Sequence, residues 1–190
     1  LTGFLKYATV PVVNMESATG HPLQSLADAI TMEEHKTTHR PKVVLTWAPH
    51  PKALPQAVAN SFVQMMQLQE ADFVITHPKG YELNPEITKD STIEYDQNKA
   101  FENADFIYAK NWSNYNDYGK ITNSDPNWTV NADKMALTNN AKFMHCLPVR
   151  RNVIVTDEVI DSENSIVIEQ ANNRTYSAQL VLQKILENGK

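Results

Sequence analysis

The chain has 190 residues, 42% of them hydrophobic, and 17 Lys+Arg against 22 Asp+Glu give a net charge of −5. That suits one ordinary domain, or one domain with pieces of another, and the apolar share excludes a disordered chain. No apolar run approaches the roughly 18–20 residues of a membrane helix, and mild acidity without a Lys/Arg block argues against a nucleic-acid surface.

In chain order, residues 10–14 (V-P-V-V-N) read as the end of a strand. Over residues 22–36, Leu23, Leu26, Ala27 and Ile30 fall on one face at helical spacing. Residues 42–48 (K-V-V-L-T-W-A) form a strand, and residues 55–69 a helix with Val58, Phe62, Met65, Met66 and Leu68 on its apolar side. Strands follow at 72–76 (D-F-V-I-T) and 92–95, then a short helix at 98–103 and a strand at 105–110 (D-F-I-Y-A-K). A last strand spans 142–145, and a final helix over 172–186 carries Leu180, Ile185 and Leu186.

These strands are apolar almost without interruption, as strands are when helices cover both faces of a sheet. With β and α alternating, the predicted fold class is α/β, a doubly wound parallel sheet. Ligands of such sheets sit beyond the carboxyl ends of the strands, so the loops of interest are 15–24, 49–54, 77–84, 111–119 and 146–152. Residues 111–131 form one long polar stretch, a length that goes with function or mobility. The only cysteine is Cys146, which excludes an internal disulfide, argues against a Cys-based zinc site and fits a reducing cytoplasm. The first residues show no basic and apolar leader pattern. Five glycines assemble neither a dinucleotide fingerprint nor a P-loop.

Those loops carry groups suited to anions: Glu16, His21 and Gln24; His50 and Lys52; Lys110; Arg150 and Arg151; and Arg174 on the last helix. A guanidinium fork suits bidentate capture of phosphate or carboxylate. Each residue also has a plainer reading. Any single Arg is more often a solvated charge, and Cys146 a small buried hydrophobe. His35 and His39 stand four apart, but without a third ligand they read as a surface pair, and no metal is expected.

The order of motifs says more. H-P-L-Q-S-L-A-D at residues 21–28, V-L-T-W at 44–47, P-K-G-Y-E at 78–82, H-C-L-P at 145–148 and Asn173-Arg174 together resemble the carbamoyltransferase (transcarbamylase) family across nearly the whole chain. The resemblance implies the C-terminal portion of a two-domain enzyme, aspartate/ornithine carbamoyltransferase-like in fold. Residues 1–21 would end the carbamoyl-phosphate domain, 22–40 form a connecting helix, 41–170 the acceptor domain, and 171–190 a helix returning to the first domain. The family's S-x-R-T phosphate loop does not occur here, so this stretch alone is expected to be incomplete for turnover. A homotrimer in the cytoplasm, without cofactor, is implied.

By the same resemblance, His21, Pro22, Leu23, Gln24, Cys146, Leu147 and Arg174 bind carbamoyl phosphate. His21 donates to its carbonyl oxygen, Gln24 and the Leu147 carbonyl accept from its NH₂ group, and Arg174 grips it. Cys146 lies beside the attacking amine, and the Leu147–Pro148 bond is expected to be cis. Members that use free ornithine carry D-x-W-x-S-M-G, where this chain has Lys110-Asn111-Trp112-Ser113-Asn114. A cation in place of an acid disfavours a free α-ammonium. The H-C-L-P-V-R-R-N run resembles the acylornithine subgroup instead. Its acetyl members place a modified lysine where this chain has Ile154, whereas Arg150 could pair with a second carboxylate, which favours N-succinylornithine over N-acetylornithine. Glu16, His50, Lys110, Cys146 and Arg150 would form the acylornithine pocket. N-acetylornithine or ornithine as acceptor, and a non-catalytic binding subunit, are the alternatives.

Overall fold

Strands that are apolar on both sides need cover on both sides. In the computed structural model, which describes residues 1–188, they have it. Two helices, α1 (Thr2–Leu5) and α2 (Pro22–His35), precede β1 (Lys42–Trp47). Then come α3 (Ala57–Met66), β2 (Asp72–Thr76), α4 (Pro85–Thr88), β3 (Thr92–Glu94), α5 (Gln97–Phe101) and β4 (Phe106–Lys110). The chain closes with α6 (Ala132–Met135), β5 (Lys142–Met144), α7 (Asp157–Ile160) and α8 (Val167–Asn188). All strand pairs are parallel, in the order β3-β2-β1-β4-β5. The doubly wound arrangement expected from the pattern is therefore the one observed.

Side chains of a strand alternate between faces. Val43, Leu45 and Trp47 of β1 enter one cluster with Met32 of α2 and Phe62, Val63 and Met66 of α3. Val44 enters the other with Ala100 and Phe101 of α5 and Val159 and Ile160 of α7. In the first cluster the rings of Phe62 and Tyr108 meet edge to face at 4.6 Å.

The seam between α2 and α8 is polar. On α8 the buried Gln170, Asn173 and Ser177 form one stripe, and each bonds into α2. Gln170 Nε2 donates to Asp28 Oδ1 (2.7 Å), Asn173 Nδ2 to Thr31 Oγ1 (2.9 Å) and Ser177 Oγ to the Leu23 carbonyl (2.9 Å). Misregister would strand these buried groups, so the seam fixes how the two helices meet. The second half of α8 leaves Leu180, Leu182 and Leu186 exposed.

Several boundaries differ from the sequence pattern. Residues 10–14 form no strand: they lie off the sheet, and Pro11 has no N–H to give a ladder. The last helix starts at Val167 rather than at residue 172, because after Val167 its buried positions, Gln170, Asn173 and Ser177, are polar and hide the apolar period. The helix expected at 98–103 is α5, capped by Asp96, which accepts from Asn98 N and Lys99 N. It stops before Asn103, whose φ of +56° is left-handed. The short α1, α4, α6 and α7 span about one turn each, too little for periodicity to register. Of the expected 171–190 helix, residues 189 and 190 lie outside the described residues. Among the described residues, no helix is long and apolar enough to cross a membrane.

Candidate active site

From β1 the chain builds outward through β2 to β3, then returns to place β4 on the other side of β1. The loops leaving β1 and β4 therefore part company, and a crevice opens at their carboxyl ends. Hydrogen bonds brace its lip. Ala48 N donates to the Lys110 carbonyl (3.1 Å), and Asn111 Nδ2 donates back to the Ala48 carbonyl (2.8 Å). Ser113 donates twice to the Leu54 carbonyl, from N (2.9 Å) and Oγ (2.7 Å). His50 and Lys52 thus stand on a loop held at both ends.

A cleft of about 500 Å³ occupies this crevice. His21 and Gln24 enter it from the start of α2, Lys110 from the end of β4, and Cys146 and Leu147 from beyond β5. Arg174 comes from α8, Arg150 from the 146–152 loop, and Glu16 from the segment before α2. Four Lys and Arg side chains thus face one carboxylate, on a chain that is acidic overall. Residues spread from Glu16 to Arg174 meet at one rim. Pro22 lies exposed at the first turn of α2, and Leu23 is buried beside a neighbouring groove between α2 and α8, so neither faces this cleft.

His21 stands at the N-cap of α2, where its backbone N–H donates to Ser61 Oγ (2.8 Å). Burial lowers its pKa; Arg174 and Lys110 add to that and Glu16 opposes it, so the ring is neutral at pH 7. Its Nδ1 is buried without a protein partner. Burial likewise lowers the pKa of His50, with Arg150, Lys110 and Lys52 acting the same way against the Lys52 backbone. Gln24 is 1% exposed. Its Nε2 donates to Asp28 Oδ1 at 2.7 Å, and its Oε1 has no partner. Asp28 is wholly buried, and desolvation pushes its carboxyl up to about 7 against the donors Gln170, Gln24 and Tyr108.

Burial also raises the Cys146 thiol, although Lys110 and Tyr108 hold it down in part, so it stays protonated at neutral pH. His145 is buried and pushed down to about 3, chiefly by desolvation. Its neutral ring accepts from Leu147 N at Nδ1 (2.9 Å), and the His145 backbone N–H donates to Gln170 Oε1 (2.9 Å). Leu147 takes a left-handed φ of +50°, and its bond to Pro148 is cis.

Other sequence candidates lie elsewhere. Arg151 is held by Asp157 and Asp161 on the surface. His39 faces Glu70 at 3.1 Å, and no cluster of three potential metal ligands occurs among the described residues. Ile154 is buried in the second apolar cluster, away from the cleft. The polar stretch 111–131 is anchored: the Tyr81 hydroxyl meets Thr122 N (3.1 Å), Thr122 Oγ1 (2.9 Å) and Asn123 N (2.8 Å). The sequence reading gave no role to Ser61, Tyr81, Asp28 or Gln170. Only the spacing of Gln24 and Asp28, one helical turn apart, hinted that they touch.

A family profile described as "Aspartate/ornithine carbamoyltransferase, Asp/Orn binding domain" matches residues 55–185. The N-succinylornithine carbamoyltransferase of Bacteroides fragilis is 61% identical over 187 residues, covering 97% of this chain and 59% of the relative. The N-acetylornithine carbamoyltransferase of Xanthomonas campestris pv. campestris is 37% identical over 203 residues, covering 96% and 60%. A solved variant of N-acetyl-L-ornithine transcarbamylase, complexed with carbamyl phosphate and N-succinyl-L-norvaline, superposes with a TM-score of 0.91 at 36% identity, over 97% of this chain and 62% of that one. The chain thus spans about 60% of the length of these relatives.

Proposed function

The chain belongs to the aspartate/ornithine carbamoyltransferase family, and from that premise we propose that it is the acceptor-binding portion of an N-succinylornithine carbamoyltransferase. The complete enzyme transfers the carbamoyl group of carbamoyl phosphate to the δ-amine of the acceptor, in arginine biosynthesis. The observation that carries this reading is the meeting of His21, Gln24, Cys146, Leu147 and Arg174 in one cleft, with a buried carbonyl oxygen on Gln24 awaiting a donor.

In this reading the neutral His21 ring donates its N–H to the carbonyl oxygen, where negative charge develops as the amine attacks. Removing such a donor costs on the order of 3 kcal/mol of transition-state stabilisation. Gln24 Oε1 and the Leu147 carbonyl accept from the NH₂ group and fix its plane, while Arg174 holds the donor. The amine, with a reference pKa of ~10.4 like that of lysine, enters neutral because cations and burial disfavour a second positive charge. Nitrogen bonds to carbon, the C–O bond to phosphate breaks, and the amine proton leaves on phosphate. The protonated Cys146 thiol is an uncharged neighbour of that amine.

The acyl group would lie toward His50, Lys110 and Arg150, with Arg150 on the distal carboxylate and Glu16 ordering the rim. Higher identity to the succinyl than to the acetyl relative supports this choice. So does the cationic cleft, and so does Asn111, whose side chain is spent on the Ala48 carbonyl rather than offered to an α-ammonium. We place residues 1–21 at the end of the carbamoyl-phosphate domain, 22–40 in the connection, 41–170 in the acceptor domain and 171–190 in the returning helix. A homotrimer in the cytoplasm completes the proposal. Turnover of the complete protein on N-succinylornithine, N-acetylornithine and ornithine tests it: the succinylated acceptor should be used best, and a marked preference for free ornithine would overturn it.

A further inference from the structure

Asp28 lies behind the cleft and does not line it, yet it decides how the cleft residue Gln24 faces and, through Gln170, holds the chain just before Leu147. The chain of bonds begins at His145, whose backbone N–H can only donate. It donates to Gln170 Oε1 at 2.9 Å, so the Gln170 amide must turn its Nε2 inward. That Nε2 donates to Asp28 Oδ1 at 2.7 Å. The same oxygen accepts from Gln24 Nε2 at 2.7 Å. Oδ1 takes both bonds on its lone pairs, and any proton the carboxyl holds sits on Oδ2, so the Gln24 amide is also fixed with nitrogen inward and oxygen toward the cleft. An amide on its own can present either end at nearly the same free energy. Turned over, Gln24 would set its oxygen against Asp28 and its NH₂ group into the cleft. The chain of bonds also ties down His145, two residues before Leu147.

We propose that Asp28 is a positioning residue: through Gln24 and Gln170 it keeps acceptors aimed at the NH₂ group of the carbamoyl donor, and thereby makes the cleft select carbamoyl phosphate over acyl phosphates that carry no N–H. This rests on the reading of the cleft as a carbamoyl-phosphate site. Acetyl phosphate is the discriminating probe, because it has a methyl group where carbamoyl phosphate has NH₂. A site that hydrogen-bonds a substrate N–H rejects the analogue that lacks it.

The test measures dissociation constants of carbamoyl and acetyl phosphate for the complete protein. In Asp28→Leu, which removes the acceptor at similar size, carbamoyl phosphate should bind at least tenfold more weakly while acetyl phosphate stays within twofold. Asp28→Asn keeps an oxygen facing the two amides and should retain the preference. Equal losses for both phosphates in Asp28→Leu, or a lost preference in Asp28→Asn, would overturn the inference. Should Asp28→Leu fail to fold, Gln170→Met decides: it should lower the preference at least threefold, and an unchanged preference would overturn the role. A wild-type protein that binds carbamoyl phosphate no better than acetyl phosphate would instead bring down the reading of the cleft, and the inference with it.

Discussion

Replacing Asp28 by Asn tests the electrostatics of the α2–α8 seam apart from any ligand. Burial raises the carboxyl from 3.8 to about 7. Stability varies with pH in proportion to the difference in protons bound by the unfolded and folded states. Below pH 4 both states hold the Asp28 proton and its contribution is fully present. Between pH 4 and 7 the unfolded chain gives up that proton while the folded one keeps it, so stability falls as pH rises. Above the folded value both are ionised and the loss is complete. Some three pH units at about 1.4 kcal/mol each make it on the order of 4 kcal/mol. Asn carries no such charge. The stability of Asp28→Asn relative to wild type should therefore climb by several kcal/mol from pH 4 to pH 8, most of it before pH 7. Urea unfolding at fixed protein concentration, followed by fluorescence of the buried Trp47 and Trp112, measures the difference, and the other titrating groups cancel in it. A difference that stays flat across this range would show that the seam compensates the ionised carboxylate fully, and would refute the argument.

Arg150→Ala should weaken binding of N-succinylornithine by about 2 kcal/mol, roughly thirtyfold, and leave N-acetylornithine nearly unaffected; equal losses would show that Arg150 does not read the distal carboxylate. Asn111→Asp removes the donor to the Ala48 carbonyl and buries a carboxylate against it. Thermal unfolding should register a loss of about 2–4 kcal/mol with no gain of ornithine turnover, and a stable, ornithine-using variant would contradict the structural role given to Asn111. Tyr81→Phe releases the bonds to Thr122 and Asn123. Amide hydrogen exchange at those two residues should accelerate, with stability lower by about 1–3 kcal/mol, whereas unchanged exchange would mean that the loop is held elsewhere.

The central strands β1 and β4 were legible because burial on both faces leaves an unbroken apolar run, whereas the edge strand β3 is partly exposed and short. α8 was half legible. Its buried stripe is Gln170, Asn173 and Ser177, and polar residues that pay their desolvation through hydrogen bonds leave no hydrophobic trace. Residues 10–14 misled for the converse reason, since apolar β-formers make a strand only where a neighbour supplies the ladder.

The same division runs through the site. Sequence by itself determined the chemistry available, namely an imidazole after a turn, an amide three residues on, a lone thiol and distant guanidinium groups, because motif order is a property of the chain. Which way each group faces was decided only by tertiary structure. Asp28 belongs to a recognisable motif, but its partner Gln170 lies 142 residues away, and the orientation of Gln24 depends on a backbone N–H at His145 that no side-chain pattern encodes. Amide orientation is set by the polarity of neighbours in space, and neighbours that distant meet only when the helices pack.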